Sequence, residues 1–173
     1  VHGLIPRIHA DEFENSGAAE IAGETGSISA DHLMAVSDEG IRKLAKNGTI
    51  ATLLPGTTFF LGKSGYAPYL KLKDAGVDIA LATDFNPGSC NIQSMPFILA
   101  LSCIYLKMHI LDAIMAATFT AAKSLQLENE VGSIEIGKKA DIIVWNFERI
   151  VQIPYLVSDQ PTQSIIKNGS TVL

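Results

Sequence analysis

Short apolar runs alternate with polar, helix-patterned stretches over the first half of the chain, and turn residues separate them. Leu4-Ile5-Pro6-Arg7-Ile8-His9-Ala10 reads as a short strand, with Pro6 suited to a strand start or a sheet edge. Polar Asp11-Glu12 follows, and residues 16–22 read as a short helix closed near Gly23 or Gly26. Residues 26–32 form a second strand, ending in His32. Ser37 is a helix N-cap, with Asp38 and Glu39 at the positive end of the helix dipole. That helix sets Ile41, Leu44 and Ala45 on one face and stops at Asn47-Gly48. Residues 49–54 are a third strand, ended by Pro55-Gly56. A loop through Gly62 and Gly65 leads to a helix from Pro68 to Ala75-Gly76. Ile79-Ala80-Leu81-Ala82-Thr83-Asp84 is a fourth strand, closed by Asn86-Pro87-Gly88-Ser89, which cannot continue it.

Strands alternating with helices at this spacing predict a parallel sheet built from βαβ units. Two helices follow, over residues 92–107 and 111–125, the second with Leu111, Ile114, Met115, Thr118 and Ala122 on one face. After Glu130 the texture changes to turn-rich sequence and short strands. Residues 142–145, 150–153 and 164–166 are strand candidates, and Lys167-Asn168-Gly169-Ser170 carries a hairpin turn. The expected division is therefore 1–130 for the parallel βα part and 131–173 for a small β part.

Composition narrows the partners. Of the 173 residues 47% are hydrophobic and 18% charged, so the chain is globular, with enough length to bury a core. The net charge is −5 and no basic cluster is longer than Lys138-Lys139, which argues against nucleic acid and anionic membrane as partners. No apolar run approaches the roughly 20 residues of a membrane helix. Cys90 and Cys103 have no metal or redox spacing and read as reduced thiols of a cytoplasmic protein. The chain opens on Val1 in what reads as the middle of a strand, so a portion of a longer polypeptide is expected.

Three strands end in reactive groups: His9 with Glu12 three residues on, then His32, then Asp84. In a βα barrel the loops after the strands converge on one mouth, so residues distant in sequence meet there. An imidazole and a carboxylate suit zinc or iron(II), and a second imidazole with a glutamate can move protons around an activated water. Each residue has a plainer alternative: His9 a hydrogen-bonded structural histidine, Glu12 a solvated loop carboxylate, His32 an interface histidine, Asp84 a turn cap. Their joint placement at strand ends favours chemistry. His2 and His109 have no such company and receive no role, and Tyr66, Tyr69, Phe59 and Phe60 read as packing residues. There is no phosphate-binding glycine loop, no Gly-x-Ser-x-Gly elbow and no His-Glu-x-x-His helix.

Pro6-Arg7-Ile8-His9-Ala10-Asp11-Glu12-Phe13, Ser29-Ala30-Asp31-His32-Leu33, Leu54-Pro55-Gly56 and Thr83-Asp84-Phe85-Asn86-Pro87-Gly88-Ser89 resemble the second half of the imidazolonepropionase family, within the amidohydrolase superfamily. Residues 132–141 resemble that superfamily's return into a small β domain. The resemblance implies an α/β fold: the C-terminal half of a TIM-type (β/α)8 metal-dependent hydrolase barrel, then part of a small β-sandwich. It implies hydrolysis of the cyclic amide of 4-imidazolone-5-propanoate, a small-molecule substrate, to N-formimino-L-glutamate in histidine degradation. It implies His9 and Asp84 as ligands of one zinc or iron ion, with Asp84 also counted among the catalytic residues. Glu12 becomes the proton-transfer and substrate-contacting residue, and His32 the group at the developing oxyanion. Asn86, Gly88 and Ser89 become substrate-binding. The family's His-x-His pair is absent from these residues, so the isolated chain is expected to be inactive and to bind metal weakly. A half barrel leaves strand edges open, so a homo-oligomer or pairing with the missing half is expected. A nucleobase deaminase of the same superfamily and a non-catalytic scaffold are the alternatives.

Overall fold

The computed structural model describes residues 3–159 and 162–173; His2, to which no role was assigned, lies outside them. Four short strands pair in parallel in sequence order: β1 (Arg7–Ala10), β2 (Ser29–His32), β3 (Ile50–Leu53) and β4 (Ile79–Leu81). Between them run α1 (Ala18–Glu24), α2 (Asp38–Asn47), α3 (Pro55–Phe60) and α4 (Tyr69–Asp74). The register sets Ala10 against His32, Asp31 against Thr52 and Leu53 against Leu81, so the carboxyl ends of the strands form one rim. Every residue of β3 is buried, as expected of a strand covered on both faces. β1 alternates towards exposure, as an edge strand does.

Ser37 caps α2 as expected: its hydroxyl accepts from the Gly40 N–H at 2.8 Å, and Gly48 ends the helix at φ 69°. Helices α1 and α2 lie close because a Cβ at Gly23 would fall 2.8 Å from the Lys43 backbone. Leu33, Leu44, Leu53, Leu72 and Ile98 belong to one continuous buried core.

Several expectations need correction. Pro55-Gly56 ends β3 but also starts a helix, because proline at the first helical position is already set at a helical φ. The expected helix over residues 111–125 is two helices, α6 (Ile110–Ala117) and α7 (Phe119–Ser124), after α5 (Met95–Tyr105). The break falls at Thr118, whose hydroxyl donates back to the Ile114 carbonyl at 2.7 Å. The inward face is also different: Ile110, Ala113 and Ala116 are buried, whereas Leu111 and Met115 are more than half exposed. Residues 150–153 are not a strand. Gln152–Tyr155 form helix α8, where the Gln152 side chain accepts from the Arg149 N–H and Pro154 cannot donate to a ladder. Of the residues read as packing, Tyr69 is buried and Tyr66 stacks on Tyr105, but Phe59 and Phe60 are half exposed. His109 does have a structural part, since its Nδ1 caps α6 by accepting from the Leu111 N–H.

The tail folds as an antiparallel sheet of β5 (Ile142–Trp145), β6 (Thr162–Lys167) and β7 (Ser170–Thr171). The expected hairpin is present: Asn168 and Gly169 both take positive φ between paired Lys167 and Ser170. Among the described residues no helix is long and apolar enough to cross a membrane.

Candidate active site

Adjacent strand ends bring the two imidazoles together. His9 is the third residue of β1 and His32 the last of β2. His32 Nε2 lies 2.9 Å from His9 Nδ1, with the ring centroids 5.1 Å apart and the planes tilted by 37°. Only one hydrogen fits between two ring nitrogens, so at this contact one ring donates and the other accepts. Glu12 reaches the same point from the loop after β1, with Oε2 3.7 Å from His32 Nε2. Burial depresses the His32 pKa most strongly; the Glu12 and Asp84 carboxylates oppose it, and His9 reinforces it. His32 Nδ1 is buried with no hydrogen-bond partner among the described residues.

The backbone at the rim is strained where the strands end. Asp11, His32, Leu33 and Asp84 take φ values of 48°, 80°, 64° and 54°. Left-handed backbone in non-glycine residues is uncommon and least so at Asp, which tolerates it. Here it turns the chain sharply as it leaves β1 and β2 and again in the loop after β4.

Asp84 lies three residues beyond β4. Its Oδ2 accepts from the Thr57 hydroxyl at 2.6 Å. Behind it Asn86 organises the loop. Its Oδ1 accepts from the N–H groups of Gly88 and Ser89 at 2.9 and 2.8 Å. Its Nδ2 donates to the Asp84 carbonyl at 2.7 Å and to Ser89 Oγ at 3.0 Å. The Asn86 amide is therefore committed to holding the turn, as an Asx-turn residue is.

His9, Glu12, His32, Asp84, Asn86 and Ser89 line a single cleft of about 370 Å³. Gly88 is not on its wall but supports it through the bond to Asn86. A wider hollow of about 580 Å³, lined by Phe59, Lys63, Tyr66, Tyr105 and Lys107 among others, shares no residue with this cleft. It holds no imidazole or carboxylate, so the chemistry belongs to the smaller one.

His9 and Asp84 each have one donor atom engaged and a second that takes no hydrogen bond among the described residues: Nε2 of His9 and Oδ1 of Asp84. One nitrogen and one carboxylate oxygen fit a zinc or iron(II) ion as part of a larger donor set. Among the described residues no group of three or more His, Cys, Asp and Glu is arranged to hold an ion.

Two supporting residues have no counterpart in the sequence reading. Asp11 is buried, and its carboxylate accepts from Ser16 N–H, Ser16 O–H, Ala18 N–H and Ala19 N–H at 2.9–3.3 Å. It ties the loop carrying Glu12 to the start of α1. Thr57 comes from the first turn of α3, just after β3, the one strand to which no site group was assigned. Its place after a parallel strand was the available signal.

The sequence profile described as "Amidohydrolase family" matches residues 9–172. The chain is 46% identical over 172 residues to the imidazolonepropionase of Geobacillus thermodenitrificans, covering 99% of this chain and 40% of that protein. Against a Bacteroides fragilis imidazolonepropionase the identity is 45% over 168 residues, 97% of this chain and again 40% of the relative. The chain thus spans about two fifths of the length of these curated relatives. Among solved structures, a zinc-bound adenosine deaminase from Xanthomonas campestris superposes with a TM-score of 0.81 at 21% identity, over 98% of this chain and 45% of that one. An E. coli guanine deaminase gives 0.70 at 21% identity, over 84% and 38%. These two likenesses concern the fold.

Proposed function

The chain belongs to the amidohydrolase family, and from that premise we propose that it is the C-terminal part of an imidazolonepropionase. That enzyme opens the ring of 4-imidazolone-5-propanoate to N-formimino-L-glutamate. In this reading residues 1–130 are the second half of a (β/α)8 barrel and residues 131–173 are strands of a small composite β-sandwich. The remaining length of the relatives supplies the other half of both, the further metal ligands and the grip on the propanoate. The observation that carries the reading is the meeting of His9, Glu12, His32 and Asp84 in one cleft at the strand-end rim.

The family is generally metal-dependent. His9 and Asp84 would hold one zinc or iron ion, which when bound polarises the amide carbonyl and makes water more acidic. The proposed reaction adds the water oxygen to the ring carbonyl carbon and breaks its bond to the ring nitrogen. Glu12 takes a proton from the attacking water and delivers it to the departing nitrogen. His32 stands by the oxygen that gains negative charge, and burial lowers its pKa and so favours the neutral ring. Asn86 and Ser89 line the wall that meets the substrate's polar groups, and Gly88 supports it from behind through its bond to Asn86. Cys90 and Cys103 are free thiols, which supports a cytoplasmic location. Identity near 46% to imidazolonepropionases favours this substrate over a nucleobase, since the deaminase likenesses stand at 21% and speak to fold.

The test is turnover by the full-length protein that carries this chain, offered imidazolone propanoate, guanine and cytosine. Hydrolysis of the imidazolone alone is expected, reduced at least about 100-fold by Glu12→Gln. Deamination of a nucleobase, or full activity in the Glu12→Gln variant, would overturn the assignment.

A further inference from the structure

We propose that Thr57 is the positioning residue for Asp84: its hydroxyl holds Oδ2 so that Oδ1 is the oxygen offered to an ion in the cleft. This rests on the reading of Asp84 as a ligand. A free carboxylate rotates broadly about its last torsion and has two equivalent oxygens. The Thr57 hydroxyl breaks that equivalence with a bond of 2.6 Å, a length typical of a hydroxyl on an ionised carboxylate.

The hydroxyl is itself held in place. Thr57 is wholly buried in the first turn of α3, and β-branching restricts its χ1. The start of α3 is pressed against the loop that carries Asp84. A Cβ at Gly56 would lie 2.8 Å from Ile98 Cδ1, 3.2 Å from Cys90 Sγ and 3.3 Å from the Thr83 carbonyl. Cys90 Sγ donates to that same carbonyl at 3.1 Å and closes the loop on itself. Asp84 is thus gripped from two sides, through its carbonyl by Asn86 and through its carboxylate by Thr57. An inert packing residue at this site would need no hydroxyl. A buried hydroxyl aimed at a carboxylate from another strand end is what orients a ligand from behind.

The experiment measures zinc affinity of the full-length protein by competition with a chromophoric chelator, for wild type, Thr57→Val, Thr57→Ser and Asp84→Ala. Valine keeps the shape and loses the hydroxyl; serine keeps the hydroxyl and loses a methyl. Thr57→Val should weaken zinc binding about 10- to 100-fold, while Thr57→Ser stays within about threefold. If the valine variant fails to fold by circular dichroism, Thr57→Ala takes its place with the same limits. Wild-type zinc affinity without the hydroxyl, or a serine variant as weak as the valine one, overturns the inference. The Asp84→Ala arm separates the two layers. If it abolishes binding while Thr57→Val does not, only the role of Thr57 falls; if it leaves binding intact, the ligand reading of Asp84 falls, and the inference with it.

Discussion

Replacing Asp11 by alanine should destabilise the protein by about 3–5 kcal/mol, although Asp11 does not line the cleft. Its carboxylate collects four donors from Ser16, Ala18 and Ala19 at the start of α1. The N-cap residue of that helix, Gly17, has no side chain to do this. Loss of a helix cap costs about 1 kcal/mol. Ala19 N–H is the buried donor of the set and, left unpaired, costs about 1–3 kcal/mol. The remaining bonds are partly exposed, and water replaces them at little net cost. Alanine must also adopt the φ of 48° that aspartate tolerates, which adds about 1 kcal/mol. Asparagine keeps one acceptor oxygen and the backbone tolerance but turns an amide NH2 towards one of the donors, so it should cost about half as much. Urea unfolding followed by circular dichroism reads the midpoint shift at constant m-value. The expected order of stability is wild type, Asp11→Asn, Asp11→Ala. An alanine variant within about 0.5 kcal/mol of wild type, or an asparagine variant as unstable as alanine, would refute the capping argument.

Two further outcomes follow from the edges and the surface charges. Strands β1 and β4 are the two edges of the parallel sheet, and Leu4 and Ile5 are exposed just before β1. Unpaired parallel edges recruit partners, so this chain alone should elute from size exclusion as a concentration-dependent oligomer; a sharp monomer at all concentrations would rule that out. Asp112 sits under Lys73 Nζ at 2.6 Å and Tyr69 Oη at 3.0 Å, and the lysine bond holds its carboxyl below the usual 3.8. The unfolded chain then binds more protons as acid is added. The stabilisation is therefore present above about pH 4 and lost as pH falls through the lower folded value. Because both side chains are substantially exposed, it is well under about 1 kcal/mol. Asp112→Asn should flatten the acid limb of the stability curve slightly as pH falls below about 4, read from urea midpoints; an unchanged limb would contradict the pairing.

Local pattern carried the parallel strand order, the capped helix after Ser37, the Asn168-Gly169 hairpin and the strand-end candidates His9, Glu12, His32 and Asp84. Each of these depends on chain neighbours, through apolar alternation, a hydroxyl three residues from its N–H, or two residues able to take positive φ. Where the residues leave a choice, local pattern misled. Thr118 splits a run that looked like one helix, and Gln152–Tyr155 coil where apolar residues suggested a strand. Leu111 and Met115 keep helical spacing yet face outward, because spacing defines a stripe and not its direction. The contact between His9 and His32, the depressed basicity of His32 and the grip of Thr57 on Asp84 join positions 23 and 27 residues apart. Such bonds form only after parallel strands have been laid side by side, and that placement is set by the packing of the whole core, which no local window of sequence contains.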